Sequence, residues 1–338
     1  MCVLSAAVLL SSRWCLAQNP CPNAGQVEIN PLNEETLDSQ YQPYPSPSPA
    51  VLKRYRFVPP GMWPPTKKFP TVLMVPPNVF QNDMIIDNGE PHENGASYDL
   101  MFAGFLVFQV ETRLAIGKLP GQSQSDPGTA PEQTDDLKRQ ILAALADPQC
   151  DGNIYLVGGS AGGCLALWCA LDPASTVSGW DESARAHIKA VVSLSGPTDF
   201  CDWADDPNIP MRKLTKFEDA LDEYVGLDDG IDCTEDTAGL LEHASPHWLV
   251  TNGATSNPPP IMLYTTIGDH VPYYQADDMN QALITHYGSS VTVDKSTMTY
   301  VYGSGYEHAF NYWHSINDDP LSDGECVSEE VITFLQSH

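Results

Sequence analysis

Basic residues are scarce in this sequence. Lys plus Arg number 16 against 44 Asp plus Glu, a formal net charge of −28 over 338 residues. A surface of that sign repels phosphate backbones, which excludes nucleic acid as a partner. The acidity confers solubility and is compatible with a salt-adapted surface. Long hydrophobic runs are missing too. The apolar run Val3 to Leu10 is too short to cross a bilayer and no other segment is long enough, so no stable membrane insertion is expected. Asn-x-Ser/Thr is absent, and nothing points to N-glycosylation. No Cys-x-x-Cys pair or Cys/His spacing suits zinc. The acidic run Leu227 to Asp236 lacks the ligand spacing of an EF-hand. Neither a metal nor another cofactor is expected.

The N-terminus reads as a secretory signal peptide over residues 1–17. Its apolar run leads to Cys15-Leu16-Ala17, which has the form of a small-x-small cleavage site. The match is imperfect, because Arg13 follows the apolar run and no basic residue precedes it. A secreted or periplasmic protein is the expectation. Two of the nine cysteines fall in that leader, which leaves seven, an odd number. At least one thiol is then free or paired between chains. Cys164 and Cys169 lie in an apolar helical pattern and read as core thiols. Cys201 and Cys233 bracket an acidic insertion and are the expected disulfide.

Residues 18–50 are rich in Pro, Asn and Gln and read as an extended lead-in rather than a packed element. Residues 51–338 then alternate two patterns. Apolar, β-branched runs occur at RYRFV, TVLMV, GFLVFQV, NIYLVG, IKAVVSLSG, PIMLYTTI and STMTYVYG. Several are hydrophobic without alternation, as strands buried on both faces are. Helical patterns lie between them. Leu137, Ile141, Leu142 and Leu145 form one apolar face, and Phe217, Leu221, Tyr224 and Val225 another, with Gly226 as its stop. The expected class is α/β: a mainly parallel central sheet with helices on both faces. Residues 200–245 break the rhythm and read as an acidic cap over the carboxyl edge of the sheet, where open α/β folds bind ligands.

The stretch NIYLVGGSAGGCLALW, Asn153 to Trp168, crowds glycines around Ser160. A dinucleotide loop needs glycine at the first, third and sixth positions, and from Gly158 the third is Ser160. A Walker loop needs a lysine that is not there. Gly-x-Ser-x-Gly does fit, between a strand and an apolar helix, which is the setting of a nucleophile elbow. A glycine-rich packing turn is the competing reading. Partners in the right order weaken it: Asp269 follows PIMLYTTI, and His308 follows STMTYVY in GSGYEHAF.

With VGGSAGG, LSGPTDF, GDHVP and HAF in place, the chain resembles the α/β-hydrolase family, in particular secreted bacterial carboxylesterases and lipases, from about Arg54 to the C-terminus. The resemblance implies that Ser160 is the nucleophile, His308 the base and Asp269 the acid. Asp277 competes with Asp269, and His270 and His314 with His308; His314 reads as a packed or rim histidine and Glu307 as a neighbour that does not face His308. One oxyanion donor is the N–H of Ala161. Relatives take the second from a His-Gly-Gly-Gly loop, but here the loop reads VPPNVF, and Pro76 and Pro77 have no N–H. The second donor is then expected at Asn78 or Val79. Arg113 reads as a structural residue tying down the next loop, and Trp203 and Phe217 as pocket residues of the cap. The implied substrate is a carboxylic ester, small or polymer-linked. A serine peptidase of prolyl-oligopeptidase type and a non-catalytic binding protein on this fold remain the alternatives.

Overall fold

The computed structural model describes residues 35–37, 54–61, 64, 66–77, 80, 91–115, 128–172, 175–204, 220–227, 233–252, 255–269, 271–298, 308–317, 319–320 and 324–338. Eight strands form one sheet: β1 (Glu35–Leu37), β2 (Arg54–Phe57), β3 (Phe69–Val75), β4 (Leu106–Val110), β5 (Cys150–Gly159), β6 (Ile188–Leu194), β7 (Ile261–Thr266) and β8 (Val293–Met298). The spatial order is β1-β2-β4-β3-β5-β6-β7-β8. From β4 to β8 every pairing is parallel, while β2 joins β4, and β1 joins β2, antiparallel. Two readings shift. Part of the lead-in, Glu35–Leu37, is an edge strand. The last strand starts at Val293, earlier than the STMTYVYG run, because the edge of the sheet needs apolar residues on one face only and the preceding VDK pairs with β7.

Why the central runs do not alternate is visible in the packing. Consecutive residues of each buried strand feed opposite cores. Leu73, Leu156, Val191 and Leu263 face one, while Val72, Val157, Val192 and Met262 face the other. Both faces exclude water, so a strand with period-two patterning would bury polar groups at a cost. Helices α1 (Pro91–Phe102), α2 (Glu132–Leu145), α3 (Ala161–Leu171), α4 (Tyr274–Tyr287) and α5 (Val327–Ser337) supply the covering layers. Helices α2, α3 and α4 pack on the first core, and α1 and α5 on the second.

The expected one-faced α2 is buried nearly all round, charges included. Most of its polar side is paired within the protein rather than solvated. Arg113 grips Asp136 with two nitrogens, Nε to Oδ2 at 2.9 Å and Nη2 to Oδ1 at 3.1 Å. The Arg113 backbone N–H adds a third bond to the same carboxylate at 2.9 Å, so this arginine does tie down its loop. Burial pushes the Asp136 carboxyl up, against the pull of Arg113 and Arg139. Arg113→Met is therefore expected to destabilise the fold by about 3–5 kcal/mol, because it leaves a buried carboxylate short of its main counter-charge. Denaturant unfolding checks this. The Arg113→Met/Asp136→Leu double variant should recover much of the loss, and a fully additive pair would contradict the coupling.

Cys201 and Cys233 form the expected disulfide, with Cα atoms 5.4 Å apart. Cys326 is also disulfide-bonded. Cys150, Cys164 and Cys169 are free and buried. Burial pushes the Cys164 and Cys169 thiols far above their usual range, so both are inert core groups. No described helix is long and apolar enough to cross a membrane.

Candidate active site

The sheet delivers the candidate residues by register. Gly159 on β5 lies opposite Leu194 on β6, and Leu194 lies opposite Tyr264 on β7. Ser160 and Ser195 are the next residues along their chains, at the carboxyl edge. The ladder runs one step further there: Ser160 N–H donates to Leu194 O, and Ser195 N–H donates to Tyr264 O, both at 2.8 Å.

Ser160 then turns sharply into α3, at φ 50° and ψ −123°. That conformation is strained for a residue with a side chain, by about 1–3 kcal/mol. The flanking glycines make it possible. A Cβ on Gly158 would lie 2.2 Å from Gly162 O, and one on Gly162 would lie 2.2 Å from Val75 O. Strand, helix start and the loop after β3 therefore touch at backbone distance, which no side chain allows. The N–H of Ala161, first residue of α3, is among those a helix leaves without an intrahelical acceptor.

Asp269 and His308 meet. Asp269 sits just past β7, its backbone N–H donating to Thr266 O and its Oδ1 accepting from Val271 N–H at 3.0 Å. His308 Nδ1 lies 2.7 Å from that same Oδ1. The Asp269 carboxylate is fully buried and the imidazole is 11% exposed. The histidine loop also reaches Ser160's neighbour: a Cβ on Gly159 would come within 2.9 Å of Ala309 Cβ and Phe310.

Two of the three competitors are occupied elsewhere. Asp277 is 42% exposed and pairs with Lys295. His314 Nε2 bonds Asp99 on α1 at 2.7 Å, beside the Trp313 indole, which donates to the same oxygen at 2.9 Å. It is a packed rim histidine, as its sequence setting indicated. His270, Glu307, Asn78, Val79 and Phe217 lie outside the described residues, as does the side chain of Trp203, whose backbone belongs to the short helix Phe200–Ala204.

Three groups at this edge received no role from the sequence. Phe80, two residues past Asn78, holds φ 59° and is buried. Its ring stacks on Tyr224 at 4.1 Å and meets Phe200 edge-on, joining the loop after β3 to the base of the acidic insertion. Gln275 on α4 clamps the segment after β6: its Oε1 accepts from the N–H groups of Thr198 and Asp199, and its Nε2 donates to Asp199 O, each at 2.8 Å. Ser195 and Tyr312 form a buried hydroxyl pair at 2.9 Å. No group of three or more metal-ligating side chains occurs among the described residues.

No curated protein matches the chain. Solved structures do. Esterase 2 of Thermogutta terrifontis, phosphonylated by sarin, is 14% identical, with coverage of 93% of this chain and 96% of that one and a TM-score of 0.59. An acetyl ester-xyloside bifunctional hydrolase from Caldicellulosiruptor lactoaceticus is 18% identical, with coverage of 89% and 92% and a TM-score of 0.58. Inhibited esterase B from Lactobacillus rhamnosis is 19% identical, with coverage of 90% and 85% and a TM-score of 0.60. At these identities the likeness carries the fold alone, the α/β-hydrolase fold of the esterases. The family is carried by the sequence: residues 92–283, more than half of the chain, match the BD-FAE model, and the chain belongs to the BD-FAE family.

Proposed function

We propose that this protein is a serine hydrolase of carboxylic esters that works through an acyl-enzyme on Ser160, with His308 as base and Asp269 as acid. The observation that carries the reading is the His308 Nδ1–Asp269 Oδ1 contact at 2.7 Å in a loop packed against Gly159. With Nδ1–H donated to the buried carboxylate, Nε2 keeps its lone pair and is the atom that accepts the Ser160 proton. Ser160 Oγ attacks the acyl carbon, and the imidazolium is stabilised by Asp269. The same proton then passes to the leaving alkoxide. Water repeats the sequence to release the acid. The sharp turn at Ser160 acts as the nucleophile elbow.

The oxyanion forms at the start of α3, where Ala161 N–H supplies one donor. Asn78 or Val79 supplies the second. The close approach of Gly162 to Val75 O and Pro76 O supports this, because Pro76 opens the sequence that leads to them. A missing donor costs about 2.7–4 kcal/mol of barrier, so one is required. The acyl or alcohol group lies under the insertion, where Trp203 and Phe217 line the pocket. Carbohydrate-linked esters suit the C. lactoaceticus likeness. Residues 1–17 direct export as a signal peptide, and the Cys201–Cys233 disulfide supports an oxidising destination.

A fluorophosphonate is expected to label Ser160 in the folded protein. A protein left unlabelled, with its thermal midpoint intact, would remove the nucleophile assignment. A chain-length series of p-nitrophenyl esters should be turned over faster than a peptide p-nitroanilide. The reverse order would favour the peptidase alternative, and turnover of neither would favour a binding protein.

A further inference from the structure

We infer that Ser195 is a positioning residue for catalysis: its hydroxyl fixes the histidine loop to the strand edge that also holds the nucleophile. This rests on the triad reading of Ser160, Asp269 and His308.

The dipeptide Leu194-Ser195 touches all three parts of the site. Leu194 O accepts from Ser160 N–H at 2.8 Å. Ser195 Oγ accepts from the N–H of Ala309, the residue after His308, at 3.2 Å. Ser195 N–H donates at 2.8 Å to Tyr264 O, on the strand that leads into Asp269. Two consecutive residues thereby set the nucleophile, base and acid segments against one another.

The side chain has a defined chemical task. Ser195 is 2% exposed. Ala309 is fully buried and sits at φ 53°, a conformation its backbone does not keep without support. Its N–H needs an acceptor, and Ser195 Oγ is that acceptor. The Ser195 hydroxyl pairs with Tyr312 OH at 2.9 Å, and Tyr312 OH donates to Tyr264 O at 3.3 Å. One direction satisfies every group: Ala309 N–H to Ser195 Oγ, Ser195 O–H to Tyr312, Tyr312 O–H to Tyr264 C=O. Ser195 itself holds φ 55°, so the chain is bent into an uncommon conformation at the residue whose hydroxyl does this. A packing serine could sit in relaxed backbone. This one joins two strained residues, one of them next to the base.

The prediction follows from the sensitivity of catalysis to sub-ångström placement, where a misplacement of about 1 Å costs about 10²-fold. Ser195→Ala is expected to lower kcat on a p-nitrophenyl ester by roughly 10–100-fold with KM changed less than about twofold. The rate of Ser160 labelling by fluorophosphonate should fall by a similar factor. Tyr312→Phe keeps the Ser195–Ala309 bond, so its kcat should stay within a few-fold of wild type. Wild-type protein that neither turns over ester nor labels would sink the triad reading itself. Active wild type with Ser195→Ala at unchanged kcat would sink this proposal alone. If Ser195→Ala does not fold, Tyr312→Phe decides: a loss in kcat as large as 10-fold would place the control in Tyr312 and overturn the assignment to Ser195.

Discussion

Ser160→Ala is expected to lower kcat on a p-nitrophenyl ester by about 10⁶-fold and to leave the fold in place. The expected size of the loss comes from the proposed acyl-enzyme route, which the variant could not enter. What remains is catalysis by bound water near the helix start, and the residual rate over water measures it. The fold should survive because alanine keeps the Cβ, so the turn at φ 50° is neither relieved nor worsened. The contacts that define the turn are also backbone ones, from Gly158 to Gly162 and from Gly162 to Val75. Steady-state kinetics beside a thermal melt checks both halves. His308→Ala should cost nearly as much, and the double variant little more than either single one, because the two groups act in one step. Additive losses would show that they do not act together.

Asp269→Asn is expected to cost about 10⁴-fold in kcat with little change in KM. The carboxylate is fully buried and its Oδ1 accepts from both Val271 N–H and His308. An amide keeps the volume but removes the charge that stabilises the imidazolium. It can also present N–H to Nδ1, which fixes the wrong tautomer and leaves the proton on Nε2. Asp277→Asn is the matched control. Its carboxylate is surface-exposed and engaged by Lys295, so activity should stay within about twofold of wild type and stability within about 1 kcal/mol. If the control lost activity and Asp269→Asn did not, the acid would have to be reassigned.

The sequence was legible where a residue's role depends on its chain neighbours. The strands from Phe69 to Thr266 stand out because two-sided burial requires nearly continuous hydrophobicity, and that leaves a local signature. Gly158, Ser160 and Gly162 could be read because the turn they form is itself local. Disulfide pairing of Cys201 with Cys233 followed from their places at the two sides of one insertion. Legibility failed where the partner lies far along the chain. Helix α2 looks amphipathic, yet its charged side is buried because Arg113 and Asp172 come from outside to neutralise it. Gln275 and Phe80 belong to no motif, and LSGPTDF, which contains Ser195, does not say what Ser195 bonds. Their bonds cross 76, 144 and 114 positions of sequence, and no periodicity records them.

By itself the sequence determined the chemical cast. It set a serine in a glycine-bounded turn, an acid and a histidine after later strands, and a formal net charge of −28. Those depend on residue type and order, which the chain states directly. Only the tertiary structure decided which of two aspartates and which histidine meet, because that is settled by strand order and register. β7 places Asp269 against His308, and helix α4 turns Asp277 toward Lys295 on the surface. Only the tertiary structure, likewise, brings Leu194 and Ser195 to the point where three separate segments converge. Hydrogen bonds between segments are set by distance in space, and distance along the chain does not fix that.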